Sequence, residues 1–468
     1  MKEQTTDIYR DRISILNEKG KRKWIYPKKP SGKFYKLRTI VSWFLLLILF
    51  GMPWIKTDGH PFVLFNIIER NFIIFGKAFG PQDFYLIVIF AITSIVFLIL
   101  FTIIYGRIFC GWICPQTIFL EMVFRKIEYL IDGDANRQKQ LAKEKLNSKK
   151  LFKRVFKYSL FFFISFLIAN TFLAYIIGVD ELIKIITDNP KNHISGLIAI
   201  TAFSTAFFLV FTLIREQVCI LACPYGRLQG VLLDKNSIVI SYDFKRGEPR
   251  GHLKRGESER TSGDCVDCFQ CVDVCPTGID IRNGTQLECV NCTACIDACN
   301  NIMEKVGFEK NLIKYASYNQ INEKKPFRFT ARMAGYSAVL ILLITTFSIL
   351  LINRKDINVN ILRTPGMFFQ EMPGDKIANI YDVKIYNKTF DEKNIQFLSS
   401  DESYIVNILS GESNILPMNH KDIKLIITKD KNKINSSSDK LNISILSGGE
   451  KIDEVTTTFM APVNKKEK

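Results

Sequence analysis

The chain has 468 residues, of which 47% are hydrophobic and 37 are phenylalanine, yet its mean hydropathy is only +0.09. A single soluble domain does not account for this mixture, which indicates membrane spans joined to polar domains. The net charge of +17 is typical of basic loops on the cytoplasmic side of a membrane. Because the aromatic residues lie in apolar runs and not among the basic clusters, a nucleic-acid partner is not expected.

A basic N-terminal segment, residues 1–36, precedes five apolar runs. Each run approaches or exceeds the length of about 20 residues that a helix needs to cross a bilayer. The runs lie at about 37–54, 83–105, 155–177, 194–214 and 333–353. The first four fall within residues 37–240. Between the second and third runs, the Lys-rich stretch 134–154 is predicted to be an amphipathic helix lying against lipid headgroups.

Loop charges predict the orientation of these spans. Residues 1–38 and 107–157 each hold 12 Lys and Arg, whereas loops 55–82 and 178–193 hold only 3 and 2. The positive-inside rule therefore places the N-terminus, the loop after the second span and the region between the fourth and fifth spans in the cytoplasm. An odd number of spans then sends residues 354–468 to the periplasm. The predicted location is the inner (cytoplasmic) membrane.

Two copies of a short cysteine motif follow the second and fourth spans. Each reads C-x3-C-P with an arginine shortly before it, and the four cysteines are Cys110, Cys114, Cys219 and Cys223. The i, i+4 spacing predicts two thiols on one helical face, near enough to hold one metal ion. The proline after the second cysteine disfavours an undisturbed helix and would expose the sulfur atoms at the membrane edge.

These thiols are predicted to have a metal or redox role. Thiolates prefer soft metals, above all Cu(I), and Arg107, Arg215 and Arg227 are expected to favour the thiolate form. The alternatives are small buried cysteines packed between spans, or a disulfide formed on oxidation. Two copies at equivalent helix ends favour the metal role. The sequence leaves open whether the four thiols build one shared site or two separate ones.

The other eight cysteines form two runs in a predicted cytoplasmic domain at 241–330. Each run has the C-x2-C-x2-C-x3-C spacing of a bacterial-type ferredoxin, in which the last cysteine of one run binds the cluster of the other. This rule assigns one [4Fe–4S] cluster to Cys265, Cys268, Cys271 and Cys299. It assigns a second cluster to Cys289, Cys292, Cys295 and Cys275.

Two alternative interpretations of these eight cysteines fit the spacing less well. Zinc is usually bound by two separated cysteine pairs, and a disulfide framework is not expected in a basic, cytosolic domain. Pro276 follows the first run as in ferredoxins. Asn300 replaces the corresponding proline after the second run, which removes no ligand.

The C-terminal region, 354–468, has a different character and no cysteine. Apolar and polar residues alternate in four segments that favour Ile, Val and Thr, at 378–386, 421–428, 440–446 and 452–460. Clusters of Gly, Asn, Asp and Ser separate them, a pattern that predicts a small all-β sandwich. The cysteine pair of a true immunoglobulin domain is missing, so the sequence suggests only the architecture.

As a set, the motifs resemble the cytochrome c oxidase accessory proteins of the CcoG/FixG/RdxA type, which are polyferredoxin-like membrane proteins. The resemblance covers residues 24 to about 315. Besides the cysteine motifs, it depends on Ile25-Tyr26-Pro27, Phe75-Gly76, Pro81-Gln82-Asp83, Arg215-Glu216-Gln217-Val218 and Arg246-Gly247-Glu248-Pro249-Arg250-Gly251. Beyond that, the chain is similar only in the size, position and β character of a domain that is immunoglobulin-like in the family.

The resemblance implies a multidomain membrane protein with a five-helix transmembrane bundle, an inserted cytoplasmic 2[4Fe–4S] ferredoxin domain and a periplasmic immunoglobulin-like β-sandwich. It implies reduction of Cu(II) to Cu(I) during assembly of a cbb3-type cytochrome c oxidase. The catalytic, copper-handling thiols would be Cys110, Cys114, Cys219 and Cys223. Expected partners are membrane lipid, copper ion, the oxidase or its copper chaperones, an unidentified cytosolic electron donor and a second copy of the chain.

Two functions from other classes stay open. One is a quinol-linked electron-transfer subunit like the membrane ferredoxins of nitrate and nitrous-oxide respiration, which combine the same elements. The other is a non-catalytic assembly scaffold whose clusters are only structural. The Gly- and Arg-rich linker 246–251 and the non-cytoplasmic β domain favour copper reduction over these alternatives.

Overall fold

The computed structural model describes residues 21–67, 71–253, 262–324, 326, 329–434 and 436–462. Residues 1–20 of the predicted basic N-terminal segment therefore lie outside the described residues. The chain divides into two compact units. The first lies within Met1–Trp54, Phe90–Ala174 and Gly178–Thr345 and holds every cysteine; the second lies within Ile55–Ile89, Tyr175–Ile177 and Thr346–Lys468.

Five helices in the described part of the chain are long and apolar enough to cross a membrane. They are Lys33–Trp54, Pro81–Tyr105, Ser148–Ile177, Ile194–Ile214 and Ala331–Ile352. These helices confirm the predicted five-span architecture. The largest difference from the predicted bounds is at the start of the third span, which begins at Ser148 and not at 155.

The predicted amphipathic helix 134–154 is wrong in its second half. A nine-residue helix covers Ala135–Lys143, and the chain then leaves helical geometry until the third span begins. The side-chain oxygen of Asn147 accepts a hydrogen bond from the backbone N–H of Ser148 at 2.7 Å. This cap satisfies one of the donors that every helix start leaves unpaired. Hydrophobic spacing does not reveal the break, because lysine-rich turns suit both helices.

Short helices connect the spans of the first unit. They are Ile108–Trp112, Pro115–Ile118, the π-helix Phe119–Phe124, Arg125–Ile131, Val179–Thr187, the π-helices Val210–Ile214 and Val218–Ala222, and Pro224–Leu232. Single-turn π-helices are rare and occur often at functional sites. One of the three, Val218–Ala222, contains Cys219, and each of the other two lies five residues along the chain from a C-x3-C-P cysteine.

The ferredoxin region is closed by an antiparallel pair of strands, Val239–Tyr242 and Ile313–Ala316. Its helices are Gln270–Asp273, Ala294–Val306, Phe244–Gly247, Ile281–Asn283 and Tyr318–Asn322. Apolar side chains of the strands and of the longest helix, such as Ile240 and Ile296, are almost fully buried. They form one core with the cysteines. The cysteine loops are thereby held between the strand pair and the helix.

The second unit is dominated by two antiparallel sheets that pack face to face. One sheet has the strand order Tyr404–Ser410, His420–Asp430, Lys376–Asn387, Ile357–Arg363, with Gln370–Met372 also paired to the third of these. The other has the order Asn414–Ile415, Lys393–Ser399, Ser438–Ser447, Glu450–Met460. Alternate side chains of both sheets, such as Tyr381 and Ile443, are fully buried in a shared core. This core confirms the predicted all-β sandwich.

Sequence alternation finds four strands of this sandwich and misses the others, whose patterns are shorter. It also treats residues 55–82 as a loop. In the structure that stretch holds a small sheet of Val63–Asn66, Asn71–Ile74 and Lys77–Phe79, and a strand pair of Lys56–Thr57 with His60–Pro61. Within the same unit, the buried carboxylate of Asp83 pairs with Lys388 Nζ at 2.5 Å and Arg354 Nε at 3.0 Å. These ion pairs attach the start of the second span to the sandwich.

Candidate functional site

The two four-cysteine runs fold into loops with the same backbone shape. Asp267 and Asn291 occupy equivalent positions with φ of 52° and 53°, and Phe269 and Thr293 do so with φ of 55° and 67°. Asp and Asn adopt this left-handed conformation more readily than most residues. In both loops a helix begins directly after the second of these positions. The sequence repeat is therefore a structural repeat.

Two cavities lie between these loops. The first cavity is lined by Cys265, Cys268, Cys271 and Cys299. The second cavity is lined by Cys275, Cys289, Cys292 and Cys295, and also by Cys271. Each cavity thus gathers three cysteines of one run and the last cysteine of the other, as two interlocked [4Fe–4S] clusters require. Apolar side chains such as Ile240, Ile279 and Val290 complete the second cavity.

Burial raises the pKa of five of the cavity thiols, which are Cys271, Cys289, Cys292, Cys295 and Cys299. In the second cavity, the pKa of Cys289 rises to about 12 and that of Cys292 to about 11. In the first, the pKa of Cys299 rises to about 12. Without metal these thiols are therefore protonated at neutral pH, and a metal centre must displace the protons when it binds.

The arrangement of the cysteines distinguishes a cluster from a single ion. Among the residues that the structure describes, no three His, Cys, Asp or Glu side chains are placed to hold one metal ion. Zinc needs four ligands that meet at one ion, a closer approach than these cysteines show. A [4Fe–4S] cluster fits better, because its cysteines bind different irons and need not meet at one point.

The two C-x3-C-P motifs do not form the continuous helical turns that the sequence predicts. The first cysteine of each motif lies on a short helix, whereas the second, Cys114 or Cys223, has an extended ψ of 123° or 113°. The next residue is the proline, which begins a new helix because its missing N–H is not needed there. Placement of both thiols on one helical face is therefore wrong, although the two motifs share one local structure.

The structure brings the four C-x3-C-P thiols together. Burial raises the pKa of Cys219 to about 12, and the charges of the other three cysteines add to this rise. Burial also raises the pKa of Cys110, against the opposing effects of the Arg107 charge and a hydrogen bond with Gln229. Of the two arrangements that the sequence leaves open, this geometry favours one shared group. Within the described chain, no three of its thiols converge on a single ion.

The flanking arginines do not favour the thiolates as expected. The guanidinium of Arg215 forms a bidentate ion pair with Glu128, at 2.7 and 2.8 Å. The positive charge of Arg215 is therefore already compensated. Arg227 is exposed. Arg107 does lower the pKa of Cys110, but burial outweighs it. Sequence position shows which charges are near a thiol but not which are paired elsewhere.

Arg107 connects the C-x3-C-P thiols to the second cavity. Its guanidinium donates to the side-chain oxygen of Gln229 and to the carbonyl of Gly226. A third N–H donates to the carbonyl of Cys289 at 3.4 Å. Gln229 is fully buried, and its amide nitrogen lies 3.4 Å from the sulfur of Cys110. One buried hydrogen-bond chain therefore runs from Cys110 to the loop of the second cavity.

The same loop packs closely on the first C-x3-C-P helix. A Cβ atom added at Gly111 would lie 2.5 Å from the carbonyl oxygen of Val290 and 2.7 Å from that of Asn291, so only glycine fits. The side chains of Cys110 and Cys289 pack against the same apolar core, which includes Cys292 and Cys295. The C-x3-C-P thiols and the second cavity are thus parts of one packed region.

Several residues of this region were not found from the sequence. Arg38 donates to the carbonyl of Gly111 at 2.6 Å, and Arg125 donates to that of Pro276 at 3.2 Å. A charged residue inside an apolar run, as at Arg38, is a sequence signal that the side chain has a specific partner. Gln229 carries no comparable signal, because its role depends on a contact 119 residues away.

Three family models match parts of the chain. One described as a 4Fe-4S dicluster domain matches residues 214–318, and one described as a 4Fe-4S binding domain matches residues 87–133. A third, described as an IG-like fold at the C-terminal of FixG, matches residues 347–462. The chain therefore carries iron–sulfur cluster-binding domains and a FixG-type C-terminal domain.

Similar proteins match over most of the chain. Protein RdxB of Cereibacter sphaeroides is 32% identical over 84% of this chain and 85% of its own length. Protein RdxA of the same organism is 32% identical over 79% and 80%. Nitrogen fixation protein FixG of Rhizobium meliloti is 36% identical over 64% and 58%. Together with the membrane helices and the cysteine cavities, these matches show that the chain belongs to the FixG/RdxA family of membrane-associated iron–sulfur proteins.

Proposed function

We propose that this protein transfers single electrons from a reduced cytosolic carrier protein to Cu(II), and that the Cu(I) so formed serves assembly of a cbb3-type cytochrome c oxidase. One electron from the carrier converts one Cu(II) to Cu(I). The observation that carries the proposal is that Cys110, one of four grouped thiols, packs against the same apolar core as Cys289, a core that includes Cys292 and Cys295. Soft-metal ligands and cluster ligands are thereby neighbours in one unit.

The two cavities provide the proposed cluster ligands. Cys265, Cys268, Cys271 and Cys299 would hold one [4Fe–4S] cluster, and Cys275, Cys289, Cys292 and Cys295 would hold the other. When bound, the clusters would supply one-electron redox centres. The protein's own contribution is to exclude water with apolar lining residues. Arg107 and Arg125 also direct N–H groups to carbonyls of both loops that bound the second cavity.

The C-x3-C-P thiols are the proposed copper-handling groups. Thiolates select Cu(I) over harder oxidation states, so their binding would favour the reduced product. The four thiols lie near one another, since the charges of Cys110, Cys114 and Cys223 all add to the rise in the pKa of Cys219 that burial causes. Gln229 holds Cys110 in place through the contact with its sulfur.

Charge distribution supports a cytoplasmic ferredoxin domain and a periplasmic β-sandwich. The loops on the ferredoxin side of the spans hold most of the Lys and Arg, as the positive-inside rule requires of cytoplasmic loops. A cytosolic carrier would then reach the cavities, and the oxidase or its copper chaperones would be the partners that receive copper. Alkaline phosphatase fused after residue 462 would be active if this orientation is right and inactive if it is inverted.

Replacing all four C-x3-C-P cysteines with alanine tests the copper step. The anaerobically purified protein is reduced, desalted and mixed with Cu(II), and Cu(I) is followed with a chromogenic chelator while cluster oxidation is followed by absorbance. We expect Cu(I) formation to fall to the buffer background in the variant. Iron and acid-labile sulfide should stay at the wild-type level. Unchanged copper reduction in the variant would refute the proposal.

Experiments on the same purified protein distinguish the two alternative functions, a quinol-linked subunit and an assembly scaffold. A quinol-linked subunit would have its clusters reduced by an added quinol, and Cu(II) would oxidise the alanine variant as fast as the wild type. A scaffold would contain clusters that no reductant in the accessible range reduces. Reduction by a protein carrier and oxidation by Cu(II) through the four thiols are the results expected for a cupric reductase.

A further inference from the structure

A cavity of about 600 Å³ in the first unit lies apart from the cysteines. Its wall includes three lysines, Lys29, Lys36 and Lys126, and two tyrosines, Tyr35 and Tyr129. The ammonium of Lys126 lies 5.8 Å from the ring centre of Tyr35, a cation–π contact that helps to fix it. The hydroxyl of Tyr129 donates to the carbonyl of Pro27 at 3.2 Å, which fixes the opposite wall.

The positive charge of this cavity is only partly offset. Among the described residues, none of the three lysine ammonium groups has a carboxylate within ion-pair distance. The carboxylate of Asp134 lies near Lys29 and accepts a hydrogen bond from its backbone N–H at 2.8 Å, but it is one negative charge against three positive ones. The pKa of Lys126 is lowered by burial and by the like charges of Arg38 and Lys29. A cavity with excess positive charge favours an anion.

The cavity also has an apolar side at the membrane boundary. Ile40 lies two turns into the first span and is 66% exposed, and Leu130 is 83% exposed. Lys36 lies on the first turn of the same span. Basic groups at the end of a span, beside exposed apolar side chains, match the two halves of a phospholipid. A soluble anion would gain nothing from the apolar side.

We propose that this cavity binds the phosphate headgroup of an anionic membrane phospholipid, with Lys29, Lys36 and Lys126 around the phosphate and the acyl chains against Ile40 and Leu130. A cavity of 600 Å³ is within the usual range of 300–1,000 Å³ for small-molecule sites. The proposal does not depend on the electron-transfer function, since no residue of the cavity is a cysteine or a partner of one.

The test uses the full chain, purified in detergent and stripped of lipid. Binding of phosphatidylglycerol with a fluorescent acyl chain is titrated in mixed micelles, with phosphatidylcholine carrying the same label as the zwitterionic reference. The variant is Lys29→Gln/Lys36→Gln/Lys126→Gln. The matched control removes the same charge from exposed lysines elsewhere, as Lys139→Gln/Lys143→Gln/Lys145→Gln.

We expect the wild type to prefer phosphatidylglycerol, and the cavity variant to bind it roughly a hundredfold more weakly, because each lysine near an anionic headgroup contributes about fivefold. The control should keep most of the affinity. Equal losses in both variants would show a diffuse basic surface and overturn the proposal, as would full affinity in the cavity variant. Wild-type iron content and unfolding temperature in phosphatidylcholine micelles would show that the cavity variant is folded.

A competition arm separates the two possible sources of the phosphate group. Inorganic phosphate and glycerol phosphate are added at increasing concentration to the wild type with bound phosphatidylglycerol. We expect neither to displace the lipid when the sodium chloride concentration is lowered to keep the ionic strength constant. Displacement by either would assign the cavity to a soluble anion and overturn the lipid proposal. The single variant Lys36→Gln, at an exposed position, gives a second measurement if the triple variant does not fold.

Discussion

The carboxylate of Asp297 accepts a hydrogen bond from the backbone N–H of Tyr35 at 2.8 Å, and one from that of Phe34 at 3.2 Å. Asp297 is 4% exposed and lies between Cys295 and Cys299 on the helix that serves both cavities. Phe34 and Tyr35 are in the first turn of the first span, whose own preceding residue gives no side-chain cap. The ferredoxin helix therefore caps a membrane helix, which joins the two parts of the first unit.

Replacing Asp297 with alanine should destabilise the first unit by about 1–2 kcal/mol, because the capping bonds and a favourable charge at a helix N-terminus are both lost. The measurement is the unfolding temperature of the purified protein in detergent, followed by cluster absorbance. Asp297→Asn keeps an acceptor oxygen and should cost clearly less. If Asp297→Asn loses as much stability as Asp297→Ala, the charge of Asp297, and not its hydrogen bonds, is the main contribution to stability.

Arg107→Gln should lower the reduction potential of the cluster in the second cavity. Reduction adds negative charge, which the neighbouring guanidinium stabilises, and hydrogen bonding around a cluster tunes its potential. We expect a shift on the order of 50 mV, since about 59 mV corresponds to a tenfold change in a one-electron equilibrium. A redox titration monitored by electron paramagnetic resonance measures it.

The first cavity serves as the internal reference for this experiment, because Arg107 has no contact with its cysteines. Its cluster should keep the wild-type potential. Arg107→Lys keeps the charge but not the forked hydrogen bonds, and should recover part of the shift. Equal shifts of both clusters would show a general disturbance of the fold and contradict a specific effect of Arg107.

Much of this architecture follows from the sequence because its signals are local. A helix that crosses a bilayer requires a long apolar run, and a cluster-binding loop requires three thiols at short, fixed intervals. Both patterns can be recognised in a single amino-acid sequence. The sandwich is visible for the same reason, through alternation along its longer strands. Its shortest strands, such as Gln370–Met372 and Asn414–Ile415, have too few residues to alternate recognisably.

The contacts that organise the site are not local and leave no such signal. Asp297 and Tyr35 are 262 residues apart, and Arg107 and Cys289 are 182 apart. The sequence does predict that the proline of each C-x3-C-P motif disturbs the helix, but it does not predict that the second cysteine has already left it. Spacing of i, i+4 assumes a regular helix, whereas Pro115 and Pro224 each start a new one.

Gly111→Ala should loosen the packing between the first C-x3-C-P helix and the second cavity. The new methyl group would lie 2.5 Å from the carbonyl oxygen of Val290, and overpacking of this kind costs about 1–3 kcal/mol. We expect slower oxidation of the reduced clusters by Cu(II) in a stopped-flow experiment. Gly335→Ala is the matched control, since nothing lies within 4 Å of a Cβ there. A variant that is oxidised at the wild-type rate would show that this close contact is not needed for electron transfer.

Glu128→Gln should destabilise the protein at neutral pH and have little effect in acid. Burial alone would raise the pKa of Glu128, but the charge and hydrogen bonds of Arg215 outweigh it and hold the pKa below the usual 4.5. A carboxyl whose pKa is depressed by folding contributes stability above its unfolded pKa, and this stability is lost as the pH falls through the folded pKa. The variant leaves buried Arg215 with its longer contact to Glu216, at 3.6 Å, and breaking a buried ion pair costs up to about 3–5 kcal/mol.

Unfolding temperatures of wild type and variant, measured from pH 7 down to about pH 2, test this expectation. The difference should be large at pH 7 and shrink below about pH 4.5, where the carboxyl of the unfolded chain begins to gain a proton, until the pH passes the lower pKa of the folded carboxyl. Glu304→Gln removes an exposed ion pair with Lys310, at 3.0 Å, and should change the unfolding temperature little at any pH. A constant difference across the pH range would mean that Glu128 acts through packing. The Glu128–Arg215 ion pair would then not be what holds the segments flanking the two C-x3-C-P motifs together.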